Sequence, residues 1–169
     1  MNPSKHQAVI MLGGNIGDTI CVFESARTFI KESGAQMLAE SAVFRSDPWG
    51  NELQRTFLNQ SLLVGTDMDP YRLLILLQDV ELHHGKNTRF ENGPRTLDLD
   101  IIFFDELILS STTLSIPHPR AHFRRFNLLP MSQIVPNFVH PILNKTVLEL
   151  LEECTDPLEV KQLNCLSCT

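Results

Sequence analysis

The chain has 169 residues, 43% apolar and 20% charged, with a formal net charge of −6, which describes one soluble globular domain with a single core. The acidic balance excludes a general binder of nucleic acid or anionic lipid, so any recognition of phosphate must be local. Neither a charged-then-apolar leader nor a bilayer-length apolar run is present, and a cytoplasmic monomer is expected, with Cys21, Cys154, Cys165 and Cys168 as free thiols.

In chain order, Ala8-Val9-Ile10-Met11-Leu12 is a short apolar run followed by Gly13-Gly14-Asn15-Ile16-Gly17-Asp18. This reads as a buried strand entering a tight turn, with Asp18 capping a helix that runs to about Glu32 and carries Ile20, Phe23, Ala26, Phe29 and Ile30 at helical spacing. The turn matches neither phosphate-binding glycine pattern, GxxxxGK[ST] or GxGxxG, and glycines needed for a sharp turn account for it. Residues 36–46 read as a second strand leading into a turn-rich loop with Asp47, Pro48 and Trp49. In a third strand, 56–64, Phe57, Asn59 and Ser61 share one face and Leu58, Leu62 and Val64 the other.

Asp69-Pro70 opens a second helix, with Asp as N-cap and Pro at the first helical position, and Gly85 closes it. Tyr71, Leu74, Leu77, Val80 and Glu81 are expected to lie along or beside one stripe. His83 and His84 in its last turn are adjacent and do not share a face, which argues against joint ligation. The polar stretch from Gly85 to Arg95 then delivers Lys86, Arg89 and Arg95 to the start of the next strand.

That strand lies within Arg95-Thr96-Leu97-Asp98-Leu99-Asp100-Ile101-Ile102-Phe103-Phe104. Apolar residues at 97, 99, 101 and 103 predict that it is half-buried, which puts Asp98 and Asp100 together on its other face. Such a pair is either an ordinary solvent-facing acidic face or an oxygen-only site suited to Mg²⁺, which keeps waters and shares its remaining coordination with substrate phosphates. Basic residues beside it are what a polyphosphate site needs on its opposite flank. Downstream, two prolines bracket and stiffen His118, while Arg120, Arg124 and Arg125 add positive charge and Phe126 a planar face. A short helix at about 147–153 comes next, and Cys165-Leu-Ser-Cys168 lies in a C-terminal tail of about 155–169.

The element order β-α-β-β-α-β predicts an α+β fold of ferredoxin-like, split βαβ type, with an antiparallel sheet and helices packed on it. One domain is expected, its motifs lying within about 8–140.

Several motifs taken together resemble a known family. Leu12-Gly13-Gly14-Asn15-Ile16-Gly17-Asp18, Phe57-Leu58-Asn59, Gln78 and Glu81 with Gly85 following, Gly93-Pro94-Arg95-Thr96-Leu97-Asp98-Leu99-Asp100-Ile101, and Ile116-Pro117-His118-Pro119-Arg120 with Arg124 and Phe126 resemble, in order and spacing, the 6-hydroxymethyl-7,8-dihydropterin pyrophosphokinases. The resemblance implies a folate-biosynthesis transferase that moves pyrophosphate from ATP to the hydroxymethyl group of a reduced pterin and releases AMP. It implies two Mg²⁺ ions on Asp98 and Asp100, triphosphate contacts from Arg95, His118 and Arg124, and a nucleotide region at Gln78, Glu81 and Ser115. It further implies a pterin stacked between Phe57 and Phe126, read at its edge by Asn59 and enclosed near Ser46 and Pro48. Lys86 stands where bacterial members often carry arginine, and supplies charge without the bidentate fork. Asn92 replaces an aromatic residue, and Phe57 a tyrosine found in some members.

Two other readings use the same residues. A metal-dependent phosphohydrolase would use Asp98 and Asp100 with water as acceptor, and a non-catalytic pterin-binding domain would keep the pocket without turnover.

Overall fold

The computed structural model describes residues 4–48, 55–85 and 94–164. Strand β1 (His6–Gly14) leads into helix α1 (Thr19–Glu32), whose N-cap Asp18 accepts a hydrogen bond from the Cys21 backbone N–H at 3.1 Å. Strands β2 (Gln36–Glu40), β3 (Phe44–Ser46) and β4 (Phe57–Thr66) follow, then helix α2 (Pro70–His83) and strand β5 (Asp98–Phe104). Asp69 caps α2 by accepting from Tyr71 and Arg72 N–H, and Gly85 leaves it at a φ of +79°, the left-handed conformation of a helix exit. A ribbon of β6 (Leu109–Ser110) and β7 (Ser115–Ile116), helices α3 (Arg125–Ile134) and α4 (Val147–Glu153), and strand β8 (Val160–Gln162) complete the described chain.

The main sheet has the order β5-β1-β4-β3-β8, with β2 also paired to β4, and every pairing is antiparallel. This is the expected α+β, ferredoxin-like arrangement. Helices cover both faces. On one, α1 and α2 bury Phe23, Ile30, Leu73, Leu77 and Val80 against Ile10, Leu12, Leu62, Leu97 and Ile101; on the other, α3 and α4 bury Leu128, Met131, Val147 and Leu150 against Val9, Met11, Ile102 and Phe103. Among the described residues no helix is long and apolar enough to cross a membrane.

The fold departs from expectation in five places. The single strand over 36–46 is two strands lying end to end along β4, because Ser41 takes over the ladder: its Oγ accepts from Ser61 N–H at 2.9 Å and its carbonyl from the Gln60 side chain at 2.8 Å. Phe103 does not share the face of Leu97, Leu99 and Ile101. Val9 pairs with Phe103 but Ile10 with Ile101, so Ile102 is an extra residue, a bulge that reverses the alternation and turns Phe103 toward α3 and α4. Tyr71 is 42% exposed, and the buried stripe of α2 runs through Leu73, Leu77, Val80 and Glu81. Cys21 is disulfide-bonded while Cys154 is free, so the free-thiol expectation fails at Cys21; Cys165 and Cys168 lie outside the described residues. The segment expected as a tail instead contributes β8 to the sheet edge.

The glycines at the end of β1 serve separate needs. Gly17 makes the turn at a φ of +73°, whereas a Cβ on Gly14 would stand 2.5 Å from the Thr96 carbonyl oxygen. Gly14 is therefore a docking surface for the segment entering β5. Gly14→Ala is expected to cost about 1–3 kcal/mol by forcing that backbone away. Gly13→Ala, whose Cβ would make an ordinary 3.6 Å contact with Asn59, is expected to cost less; equal urea midpoints for the two variants would refute the docking role.

Candidate active site

Strand alternation and register place two sets of polar residues on one face of the sheet. Gly13 on β1 pairs with Asp98 on one side and Asn59 on the other, and Met11 pairs with Asp100 and Ser61. With strands about 4.8 Å apart, Asp98 and Asn59 stand about 10 Å from each other across β1. The residue between them has no side chain. The result is a shallow trough with carboxylates on one bank and an amide on the other.

On the carboxylate bank, Arg95 Nη1 bonds Asp98 Oδ2 at 2.8 Å, and both side chains are about a quarter exposed, at 28% and 23%. The arginine's Nε is buried and has no partner among the described residues. Its main chain is clamped by Asn15: Arg95 N–H donates to Asn15 Oδ1 and Asn15 N–H to the Arg95 carbonyl, each at 2.9 Å. On the other side of β5, His118 N–H donates to the Ile102 carbonyl at 3.0 Å, which brings the histidine beside the strand.

His118 Nδ1 accepts from Arg120 N–H at 3.3 Å. That backbone donor requires an unprotonated Nδ1, so the neutral ring carries its proton on Nε2. Burial pushes the His118 pKa below the ordinary histidine value. Asp100 and, more weakly, Asp98 pull it upward, while Arg124 and Arg120 press it down. Burial also lowers the Arg124 pKa from its ordinary value, with Arg120 and Arg95 acting in the same direction and Asp100 and Asp156 opposing. Arg95, Asp98, Asp100, His118 and Arg124 thus form one electrostatic cluster.

On the opposite bank, Asn59 is buried and donates through Nδ2 to Ser46 Oγ at 2.9 Å, with Pro48 half-buried at the start of the adjoining loop. Each candidate stacking ring carries a guanidinium from the other bank's cluster. Arg95 Cζ lies 5.8 Å from the Phe57 ring centre and Arg124 Cζ 5.5 Å from that of Phe126.

The remaining expected site residues fall elsewhere or outside the described structure. Gln78 is exposed on α2, and Ser115 is half-buried on β7 opposite Ser110. Glu81 is buried, and its carboxylate accepts from Leu99 N–H at 2.7 Å, so it holds the aspartate-bearing strand. Lys86, Arg89 and Asn92 lie outside the described residues. Sequence patterning missed Asn15 as a clamp and Asp156 as a partner of the helix behind Phe126, since neither contact leaves a periodic trace. A cavity of about 400 Å³ lined mainly by Val9, Leu63, Phe103, Val135 and Phe138 lies at the far end of the same face and shares no residue with the polar cluster.

Among the described residues no group of three or more His, Cys, Asp or Glu is placed to hold a metal ion. The pair of oxygen-only ligands at Asp98 and Asp100 nevertheless fits Mg²⁺, which binds proteins through one or two carboxylates and completes its shell with water and phosphate.

Residues 9–136 match the family model described as 7,8-dihydro-6-hydroxymethylpterin-pyrophosphokinase. The chain is 35% identical over 144 residues to an Aquifex aeolicus protein named 2-amino-4-hydroxy-6-hydroxymethyldihydropteridine pyrophosphokinase, covering 85% of this chain and 89% of that one. It is 36% identical over 128 residues to the Bacillus subtilis protein of the same name, covering 75% and 77%. It is also 36% identical over 147 residues to the Dictyostelium discoideum folic acid synthesis protein FOL1, covering 86% of this chain but only 22% of that longer protein. In fold it is similar to a Plasmodium falciparum HPPK-DHPS structure with pteroate, with a TM-score of 0.73 at 15% identity, over 90% of this chain and 45% of that one.

Three histidines near the site link its electrostatics to stability. His122 and His140 stack edge-on with ring centres 5.6 Å apart, and burial lowers both pKa values, with His118 pressing on His122 and His122 on His140. Folding therefore favours the neutral rings. The unfolded chain binds more protons below about pH 6.5, so stability should be full above that value and decline as the pH falls toward the depressed folded values. Thermal melts from about pH 8 to about pH 5 should show this decline. His140 Nδ1 accepts from Ile142 and Leu143 N–H, a role an amide oxygen can take, so His140→Asn should flatten the slope. An unchanged slope would refute the buried-neutral assignment.

Proposed function

The chain belongs to the 7,8-dihydro-6-hydroxymethylpterin-pyrophosphokinase family, and from that premise we propose that it transfers pyrophosphate from ATP to the hydroxymethyl oxygen of 6-hydroxymethyl-7,8-dihydropterin, releasing AMP, in folate biosynthesis. The observation that carries this reading is the trough itself: Asp98 faces the same side of the sheet as Asn59 with only Gly13 between them, and Asp100 lies two residues further along the same bank. The chain spans about a fifth of the Dictyostelium relative, at 22% of its length, so the activity is proposed for this domain alone.

The hydroxymethyl oxygen gives up its proton to solvent and bonds to the β-phosphorus, while the bond between that phosphorus and the α,β-bridging oxygen breaks and the bridging oxygen leaves on the α-phosphorus as AMP. Such chemistry gives the protein little covalent work; it must align acceptor with phosphate and offset charge. Asp98 and Asp100 would hold Mg²⁺, two ions in this proposal, which would supply neutralisation of the phosphate charge. Arg95 exchanges its bond with Asp98 for a phosphate oxygen, and its orphaned Nε supplies a second donor. His118, neutral with the proton on Nε2, donates to the triphosphate, as does Arg124. Lys86 adds a further cation, and Gln78, Glu81 and Ser115 form the nucleotide side, with Glu81 acting through Leu99.

Phe57 and Phe126 exchange their guanidinium partners for the pterin ring, and Asn59, pinned by Ser46, reads its polar edge beside Pro48.

Incubation with Mg²⁺, ATP and the reduced pterin should yield pterin-dependent AMP, whereas phosphate or ADP without AMP would point to the hydrolase. Asp98→Ala and Asp100→Ala should each lower kcat at least about a hundredfold, as loss of a transition-state electrostatic group does; near-wild-type rates in either would sink the metal assignment. Phe126→Ala should raise the pterin KM about tenfold through lost stacking and area, and an unchanged KM would refute the stack.

A further inference from the structure

We propose that Asp156 is a positioning residue for the pterin pocket, and that the segment from Cys154 to Gln162 is a strap tying the pocket's two walls together. The identity of the ligand rests on the pyrophosphokinase reading above. The strap lies beyond residues 9–136, the span matched by the family model.

Helix α3 begins without a cap of its own. Its N-cap is Arg124, whose side chain makes no capping hydrogen bond, so the first-turn N–H groups need acceptors from elsewhere. Asp156, only 8% exposed, supplies one: Oδ2 accepts from Arg125 N–H at 2.9 Å, and a carboxylate there also complements the helix dipole. Its other oxygen accepts from Leu158 N–H at 3.1 Å, which fixes the carboxylate in the strap. Arg125 closes the clasp by donating from Nε to the Asp156 carbonyl at 3.3 Å and from Nη2 to the Cys154 carbonyl at 3.1 Å.

Arg125 sits between Arg124 and Phe126, so holding its main chain holds both neighbours. Beyond the clasp the strap enters β8, where Val160 pairs with Ser46 and Gln162 with Phe44. Leu163 N–H adds a bond to the Val43 carbonyl at 2.8 Å, and Gln133 on α3 bonds the Gln162 side chain at 2.9 Å. One stretch of chain thereby grips the helix that carries the stacking ring and the strand that pins the edge-reading amide. A stack tolerates little error, since a site held about 0.5 Å off its productive geometry already loses binding.

The test compares Asp156→Ala, Asp156→Asn and Thr146→Ala in the full chain. Thr146→Ala removes the capping box at the end of α4 opposite Cys154, a loss of local stability that leaves every hydrogen-bonding group of the α3 clasp in place. Pterin KM and kcat are measured alongside ATP KM, and affinity is read independently by fluorescence titration with oxidised 6-hydroxymethylpterin. Asp156→Ala should raise pterin KM and Kd roughly five- to tenfold, as expected for a lost charge-assisted bond at a helix start, with a smaller change in ATP KM. Asp156→Asn keeps one acceptor oxygen and should lie between Ala and wild type. Thr146→Ala should lower the Tm while leaving pterin affinity within twofold, roughly the effect of a remote cap. Equal pterin affinities in Asp156→Ala and Thr146→Ala overturn the proposal. Wild-type protein that binds the pterin without releasing AMP overturns the pyrophosphokinase reading instead and leaves the affinity comparison intact.

Discussion

An edge strand must find partners for the backbone groups that no neighbouring strand takes, and the candidate site is built from the answer to that requirement. Among the described residues, strand β5 pairs with β1 on one side and with no strand of the main sheet on the other. On its other side Leu99 N–H is taken by the buried Glu81 carboxylate, and the Ile102 carbonyl by His118 N–H. Both partners belong to the set that sequence motifs connect with nucleotide binding. The contacts that satisfy the edge therefore also assemble helix α2 and the Pro-His-Pro segment around Asp98 and Asp100. Left open, the same edge would be a template for pairing with another chain.

The site is also balanced in charge before any substrate arrives. Arg95 neutralises Asp98 and lies over Phe57, while Arg124 lies over Phe126 and feels Asp100. In a chain of net charge −6 these arginines set positive charge beside the two aspartates, at the place where the proposed reaction would put its phosphates. Burial at His118 favours the neutral ring, and with Nδ1 accepting from Arg120 N–H the proton of that neutral form sits on Nε2.

How much of this was legible in the sequence depended on whether the cause was local. Asp18 and Asp69 announced helix starts because an N-cap acts within one turn, and the Asp98/Asp100 face followed from alternation alone. The Asn59 and Phe57 face was read the same way. Failures came where a distant partner overrode the local pattern. Ser41 breaks a strand only because Ser61 and Gln60 are there to receive it, and the Ile102 bulge reverses Phe103 through its register with β1. Tyr71 lay beside the expected stripe, yet α2 turns Leu73 inward instead. Asp156 is a polar residue before a proline in sequence; only folding puts it at the start of α3.

Strand β1 lies in the middle of the sheet, yet both of its partners are distant in sequence: Ala8 pairs with Val64 on one side and with Phe104 on the other. The helices and the β3–β4 pairing can form from nearby residues, but β1 must wait for two long loop closures, each costly in entropy before contacts repay it. The docking of β5 is the longer of the two, and it alone delivers both aspartates. Activity should thus be a late property of the folding chain, absent from any intermediate that already has helices and a partial sheet. Recovery of turnover after dilution from denaturant would then lag recovery of helical signal, and the lag would time the closure of that one strand pair.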